Sequence, residues 1–364
     1  MMNKTIIFTG GGTAGHVTPN LEIIPFFINN GWNVFYVGSK YGMEKEIVTK
    51  SDVRIKFLPI HAGKLRRYFS LQNVVDIFLI GLGIIEAFII IKKYKPAIIF
   101  SKGGFVSFPV VFAAWLNMVP VLIHESDVTP GLSNKLSGFF ASKIFSTFSE
   151  TSKYTNNSKL EYIGPIIRSG FKNANYKKGF EYCGFNKNIP VILVMGGSLG
   201  SENINKAIRR DLNKLINNFQ IVHICGKRNV DKNIKFDNYK QFEYINDQFP
   251  DVLAMSKLVV ARAGSNSIFE FLFMKKPMIL IPLPPKSSRG DQIMNAKIFK
   301  EKGYCEVIND EDLENVSSDN VIRVAYKNKD YYIKNMQNVN FSDNAKKVYE
   351  FITKKLANKC KLNK

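Results

Sequence analysis

Two kinds of chemically useful residue stand together in Thr9-Gly10-Gly11-Gly12-Thr13-Ala14-Gly15-His16-Val17-Thr18-Pro19, a run of glycines and one histidine. Glycine-rich turns let backbone N–H groups converge on an anion, and a helix starting behind them adds the positive end of its dipole. Thr18-Pro19 reads as that start, an N-cap followed by proline at the first helical position. Beside such a phosphate cradle the titratable imidazole of His16 points to general-base chemistry, not binding alone. Related turns recur. Ser101-Lys102-Gly103-Gly104-Phe105 reads as the second jaw of a diphosphate site. Gly196-Gly197-Ser198-Leu199-Gly200-Ser201 opens another helix-like stretch, and Arg262-Ala263-Gly264-Ser265-Asn266-Ser267-Ile268-Phe269-Glu270 repeats the plan. Ser265 could cap that last helix; Glu270, one turn in, could accept both hydroxyls of a ribose or be a solvated helix acid. His124-Glu125-Ser126-Asp127 closes an apolar strand, where active-site groups of parallel sheets gather; the alternative is an N-cap by Asp127 or Thr129 before Pro130.

Gly10, Gly12 and Gly15 also satisfy G-x-G-x-x-G, so a dinucleotide site is a rival. It needs an acid at the tip of the second strand, about 20 residues on, to hold a ribose. The second strand, Val34-Phe35-Tyr36-Val37, ends in Gly38-Ser39, and the next acid is Glu44. The fingerprint is incomplete, which favours a phosphate or diphosphate site. Asp310-Glu311-Asp312 matches the D-x-D pattern of metal-dependent sugar transferases but lies far in sequence from any glycine loop and reads as surface. No His/Cys/Asp cluster has metal-ligand spacing, so neither a metal nor another cofactor is expected. Cys183, Cys225, Cys305 and Cys360 read as reduced, buried or incidental thiols of a cytosolic protein.

The elements that must position these turns alternate. Strands are suggested at 4–9, 32–37, 53–58, 96–101, 119–124, 143–148 and 160–164, separated by segments of helical length such as 18–30, closed by Gly31. The strand 190–195 restarts the pattern. At 364 residues the chain should hold two domains, expected at 1–165 and 166–341, with a C-terminal helix at about 342–364 packing back on the first. The implied class is α/β: two Rossmann-like, doubly wound parallel-sheet domains facing a central cleft.

The formal net charge is +21, from forty-one lysines and ten arginines among the basic residues. Readers of nucleic-acid bases favour the arginine fork, so a lysine excess suits an anionic membrane surface better, and no nucleic-acid partner is expected. Val74 to Ile91 is apolar apart from Asp76 and Glu86, and Lys64, Arg66, Arg67 and Lys92-Lys93 flank it. Two acids would be costly in a membrane span; the segment reads as a core helix with a peripheral membrane contact. The N-terminus enters a strand at once, so no signal peptide is expected.

Six motifs in this order and spacing, GGTAGHVTP (11–19), SKGGFVSFP (101–109), HESDVTPGLSNK (124–135), GGSLGSENIN (196–205), ARAGSNSIFE (261–270) and RGDQIMNA (289–296), resemble the MurG family of membrane-associated N-acetylglucosaminyltransferases over nearly the whole chain. The resemblance implies a GT-B fold and inverting transfer of GlcNAc from UDP-GlcNAc to the C4 hydroxyl of MurNAc in undecaprenyl-diphosphoryl-MurNAc-pentapeptide (lipid I), giving lipid II in peptidoglycan synthesis. It implies His16 as the base. It places Thr13, Ala14, Gly15, Asp127, Arg168, Ser198, Asn205, Tyr244, Ile245, Arg262, Ser265, Asn266, Ser267, Glu270 and Gln292 on UDP-GlcNAc. Gly11, Gly12, Gly103, Gly104 and Phe105 fall to the acceptor diphosphate, and Trp115 with segment 64–93 to the bilayer. The implied location is peripheral, on the cytoplasmic face of the cell membrane, with cell-wall synthesis proteins as candidate partners. Asp127 stands where many relatives carry asparagine. Other GT-B enzymes (a glycolipid glycosyltransferase or a UDP-GlcNAc 2-epimerase) and a non-catalytic nucleotide-sugar-binding scaffold are the alternatives.

Overall fold

The computed structural model describes residues 3–64, 72–155, 158–197, 200–286 and 288–362. Contacts divide the chain into two compact units, Met1–Ile167 with Ser342–Lys364, and Arg168–Phe341.

Unit 1 is built on seven parallel strands, β1 (Thr5–Thr9), β2 (Asn33–Ser39), β3 (Lys56–Ile60), β4 (Ile98–Ser101), β5 (Val121–Glu125), β6 (Lys143–Ser146) and β7 (Leu160–Tyr162), in the order β3-β2-β1-β4-β5-β6-β7. β1, β4 and β5 are buried at every position. Helices cover both faces of a parallel sheet, so the centres of these strands are apolar, and polar residues such as His124 and Glu125 stand at the carboxyl end. Unit 2 repeats the scheme with β8 (Val191–Met195), β9 (Gln220–Ile224), β10 (Tyr239–Phe242), β11 (Ser256–Ala261), β12 (Met278–Leu280) and β13 (Cys305–Val307), ordered β10-β9-β8-β11-β12-β13. In each unit the winding reverses beside the first strand, so the turns after β1 and β4, and after β8 and β11, diverge at a topological switch point. These four turns are the glycine motifs. The architecture is GT-B, two α/β units of Rossmann type.

The helix behind the first glycine turn is Thr18–Ile28, and it differs from expectation at its start. Its N-cap is Val17, with no side-chain cap, and a 3₁₀ turn, Ala14–His16, separates it from the glycines. Pro19 therefore stands inside the first turn. Ser265 is likewise not a cap: the helix Ser265–Phe273 has Gly264 at that position. Neither Asp127 nor Thr129 caps the helix Leu132–Phe140, whose N-cap is Gly131.

The apolar segment forms one helix, Gln72–Tyr94. Ala87 and Ile91 join the core of unit 1. Both acids turn toward the protein: the Glu86 carboxylate accepts from the His61 N–H at 2.6 Å and meets His61 Nδ1 at 2.7 Å, and Asp76 Oδ1 accepts from the Lys64 N–H at 3.1 Å. The core-helix reading covers only this side. Val74, Val75, Ile77, Phe78, Ile85 and Ile89 are exposed, as are Trp115, Leu116 and Met118. By length and composition Asn73–Tyr94 could cross a membrane. Arg66 and Arg67, expected at its entry, lie outside the described residues.

The helix Asn344–Leu362 belongs to unit 1, where Ala345, Val348, Ile352 and Leu356 pack with Phe27 and Trp32. Cys183, Cys225 and Cys305 are free and buried, and burial pushes the Cys183 and Cys305 thiols up to about 12; the Cys360 side chain lies outside what is described.

Candidate active site

In unit 1 the first two glycine turns are laced together. The Gly11 N–H donates to the Gly103 carbonyl at 3.2 Å, and a Cβ on Gly104 (φ +89°) would collide with the Gly11 carbonyl oxygen. The Gly12 N–H donates to Glu44 Oε2 at 3.2 Å, and the Phe105 ring fills the space where a Gly12 side chain would stand. From beneath, the Tyr36 hydroxyl donates to the Gly10 carbonyl at 2.8 Å and Asn20 Nδ2 to that of Thr9 at 3.2 Å. Gly11 and Gly12 thus differ from the expected role. Their amides are spent on the protein, so they shape the turn and cannot also donate to a diphosphate. Among the described residues the N–H groups of Thr13, Ala14, Gly103, Gly104 and Phe105 have no protein acceptor, so the open donors are these.

Glu44 also holds this turn. It is fully buried and also accepts from the Ser39 N–H at 2.9 Å and from the Ser39 hydroxyl. The acid nearest to a dinucleotide fingerprint is therefore a brace of the first turn.

His16 closes that turn. Its Nδ1 lies 3.0 Å from the Gly11 carbonyl and 3.2 Å from Thr13 Oγ1. A carbonyl only accepts, so Nδ1 carries the proton and the basic lone pair of the neutral ring sits on Nε2. The side chain is thus fixed in one tautomer, as a general base requires.

The turn after β5 carries His124, Glu125, Ser126 and Asp127. Glu125 accepts from the Asp127 N–H and the Gly131 N–H, each at 3.0 Å, and from Asn134 Nδ2 at 2.8 Å. Burial, then the neighbouring Asp127 charge, raises its pKa. Lys102, from the second glycine turn, donates its ammonium to Ser126 Oγ. His124 is buried, and burial followed by the Lys102 charge holds it well below its usual range, neutral.

In unit 2, Ser198 and Leu199 lie outside the described residues. Ser201 caps the helix Glu202–Arg210 by accepting from the Ile204 N–H at 3.4 Å. Asn205 is turned inward: Nδ2 donates to the Cys225 carbonyl at 3.0 Å, and Oδ1 meets His223 Nε2 at 2.9 Å. It braces the turn after β9, because both ends of its amide are occupied.

Arg262 departs furthest from expectation. It is buried, pairs with Asp310 Oδ1 at 2.5 Å and donates to Ser201 Oγ at 2.6 Å and to the carbonyls of Ile281 and Pro282 at 3.1 and 3.3 Å. Its donors tie together the ends of β11 and β12 and the cap of the Glu202 helix, instead of projecting toward a diphosphate. Asp310, read as surface, is buried, and its Oδ2 also accepts from Asn203 Nδ2 at 2.7 Å. A charged tripeptide looks solvated until the fold brings a buried guanidinium to it.

The helix Ser265–Phe273 turns its N-terminus, at Ser265, toward the end of β11, with no acid in its first turn to compete for an anion. Glu270, 5% exposed, is clamped by Arg168: Nε to Oε1 at 2.6 Å and Nη2 to Oε2 at 2.8 Å. The Arg168 guanidinium lies over Phe171 at 4.9 Å and Phe249 at 5.5 Å. Gln292 Oε1 accepts from the Leu283 N–H at 3.1 Å. Ile245 is buried, so only its backbone could face a base, whereas Tyr244 is exposed.

The sequence matches the glycosyltransferase family 28 N-terminal domain over residues 6–146 and the C-terminal domain of the same family over 191–352. It is 49% identical over 343 residues to a UDP-N-acetylglucosamine--N-acetylmuramyl-(pentapeptide) pyrophosphoryl-undecaprenol N-acetylglucosamine transferase of Geobacillus kaustophilus, covering 94% of this chain and 96% of the relative. A Clostridium botulinum protein of the same name is 49% identical over 357 residues, 98% of this chain and 99% of that one. The chain belongs to the MurG family. In fold it is similar to the crystal structure of Acinetobacter baumannii MurG, with a TM-score of 0.72 at 20% identity over 96% of this chain and 99% of that one. A UDP-GlcNAc 2-epimerase from Neisseria meningitidis bound to UDP-GlcNAc shares the fold at a TM-score of 0.65 and 14% identity, over 96% and 100% of the two chains.

Proposed function

We infer that the protein is an inverting N-acetylglucosaminyltransferase that moves GlcNAc from UDP-GlcNAc to the C4 hydroxyl of MurNAc in lipid I, forming lipid II in peptidoglycan synthesis. The observation that carries this is the 49% identity over almost the full length of relatives named for that transfer. Unit 2 takes the donor. Its two helix N-termini, at Glu202 and Ser265, would stabilise the departing diphosphate, and Glu270 would accept from the ribose hydroxyls. Unit 1 takes the acceptor and supplies the base. The acceptor hydroxyl gives its proton to His16 Nε2 as its oxygen attacks the anomeric carbon in line, and the bond from that carbon to the UDP oxygen breaks. With amides and dipoles serving the leaving group, the mechanism requires no bound metal.

The membrane contact belongs to this proposal. The exposed apolar face of the Gln72–Tyr94 helix, with exposed Trp115 and the lysines Lys92 and Lys93 as anchors, suits shallow seating in an anionic bilayer on the cytoplasmic face. Its acids are bound to the protein side, which leaves the outer face uncharged.

The deciding measurement is transfer of labelled GlcNAc to a lipid I analogue, with diacylglycerol as parallel acceptor and EDTA in a duplicate. Transfer to lipid I alone, surviving EDTA, is expected. Transfer to diacylglycerol, or UDP-GlcNAc binding with no transfer to either acceptor, overturns the assignment.

A further inference from the structure

Lys102 is 1% exposed, at the end of β4 where the chain enters Gly103-Gly104. Burying an ammonium is unfavourable unless opposite charge and hydrogen bonds compensate it. Here they come from one place, the turn after β5. The ammonium donates to Ser126 Oγ, and the charges facing it are those of Glu125 and Asp127. Its backbone is equally committed, the Lys102 N–H donating to the Thr9 carbonyl at 2.9 Å. Next along the chain, Gly103 leaves room for Asn134, which itself holds Glu125. One residue therefore joins the end of β1 through its backbone, the open amides of Gly103 to Phe105 through the chain, and the acidic turn through its side chain.

We propose that Lys102 is a positioning residue of the acceptor half of the reaction: its buried ammonium holds the Glu125–Ser126–Asp127 turn in register with the glycine turns. The assignment rests on the reading of unit 1 as the acceptor side. An apolar side chain would fill this space without any charge to compensate; the cation is explained by the acids it serves.

Titration supplies the signature. Burial lowers the Lys102 pKa to about 8, with Glu125 and then Asp127 pulling it back up. His124, on the same turn, is neutral, its pKa lowered by burial and then by the Lys102 charge. Above about pH 8 the ammonium loses its proton and the acids lose their cation, so lipid-linked transfer falls on the alkaline side. An arginine stays charged throughout this range.

The test compares wild type, Lys102→Met and Lys102→Arg in lipid I transfer across pH, with UDP affinity by calorimetry as the control for a folded donor unit. Lys102→Met is expected to bind UDP unchanged, to lose about 10²-fold in turnover, the scale of a displaced active-site group, and to carry its acid limb to higher pH as Glu125 holds its proton more tightly without the Lys102 charge. Lys102→Arg is expected to lose the alkaline limb near pH 8. A Lys102→Met protein with wild-type turnover and pH profile overturns the proposal. So does an alkaline limb unmoved in Lys102→Arg, which decides the matter alone if the methionine variant does not fold. Wild type that binds UDP but does not transfer to lipid I brings down the acceptor reading, and the Lys102 role with it.

Discussion

Replacing Arg168 by methionine removes the guanidinium that clamps the buried Glu270 carboxylate of unit 2. Removing one partner of a buried ion pair costs about 3–5 kcal/mol. The Arg168 side chain is 35% exposed and that of Glu270 6%, so solvent screening on the arginine side reduces this to roughly 2–3 kcal/mol. Loss of the guanidinium from Phe171 and Phe249 adds about 0.5–1 kcal/mol at a partly exposed site. The sum, about 3 kcal/mol, lowers the unfolding temperature of a unit this size by roughly 6–12 °C. Differential scanning calorimetry on the full chain reads this directly. The double variant Arg168→Met/Glu270→Gln removes the buried charge as well and should recover much of the loss, a coupling that a double-mutant cycle measures. A shift under about 3 °C for Arg168→Met, or strict additivity in the cycle, refutes the argument that this pair is a desolvated charge contact.

His16→Ala should reduce transfer by about 10²–10⁴-fold while leaving UDP affinity unchanged, since the residue would act on the acceptor proton; near-normal turnover removes it from the base role. Glu270→Gln should weaken UDP binding by roughly tenfold or more, the cost of a charge-assisted hydrogen bond to the ribose, and a calorimetric titration with uridine and UDP separates this from a diphosphate effect. Acid should destabilise unit 2 through His223, whose pKa is lowered to about 3 by burial and then by Arg209. The folded ring stays neutral while the unfolded one protonates, so the stabilisation is present above about pH 6.5 and is lost as pH falls from there toward the folded value, at up to about 1.4 kcal/mol per pH unit; a His223→Gln variant with the same acid slope in chemical denaturation contradicts this. Phe78→Glu with Ile85→Glu should cut binding to anionic vesicles by about tenfold or more, each side chain contributing about 1.5–3 kcal/mol when buried in lipid, with UDP affinity as the internal control in a flotation assay.

The sequence alone determined the strand-and-turn plan. Parallel strands covered on both faces need apolar centres, so β1, β4, β5 and β8 show themselves as apolar runs, and glycines mark the turns where backbone approaches backbone. Six ordered motifs likewise made the family legible. What the tertiary structure decided is which polar groups are already spoken for. The amides of Gly11 and Gly12 look like phosphate donors until Gly103 and Glu44 take them. Arg262 looks like a diphosphate ligand until Asp310 pairs with it, and Glu270 like a solvated acid until Arg168 clamps it. Lys102 and Glu44 gave no local signal, because the energy of a buried charge depends on partners far along the chain. Sequence spacing reports which residues can share an element; only the folded chain sets the distances and burial that decide whether a charge is paired, and hence what chemistry remains open to it.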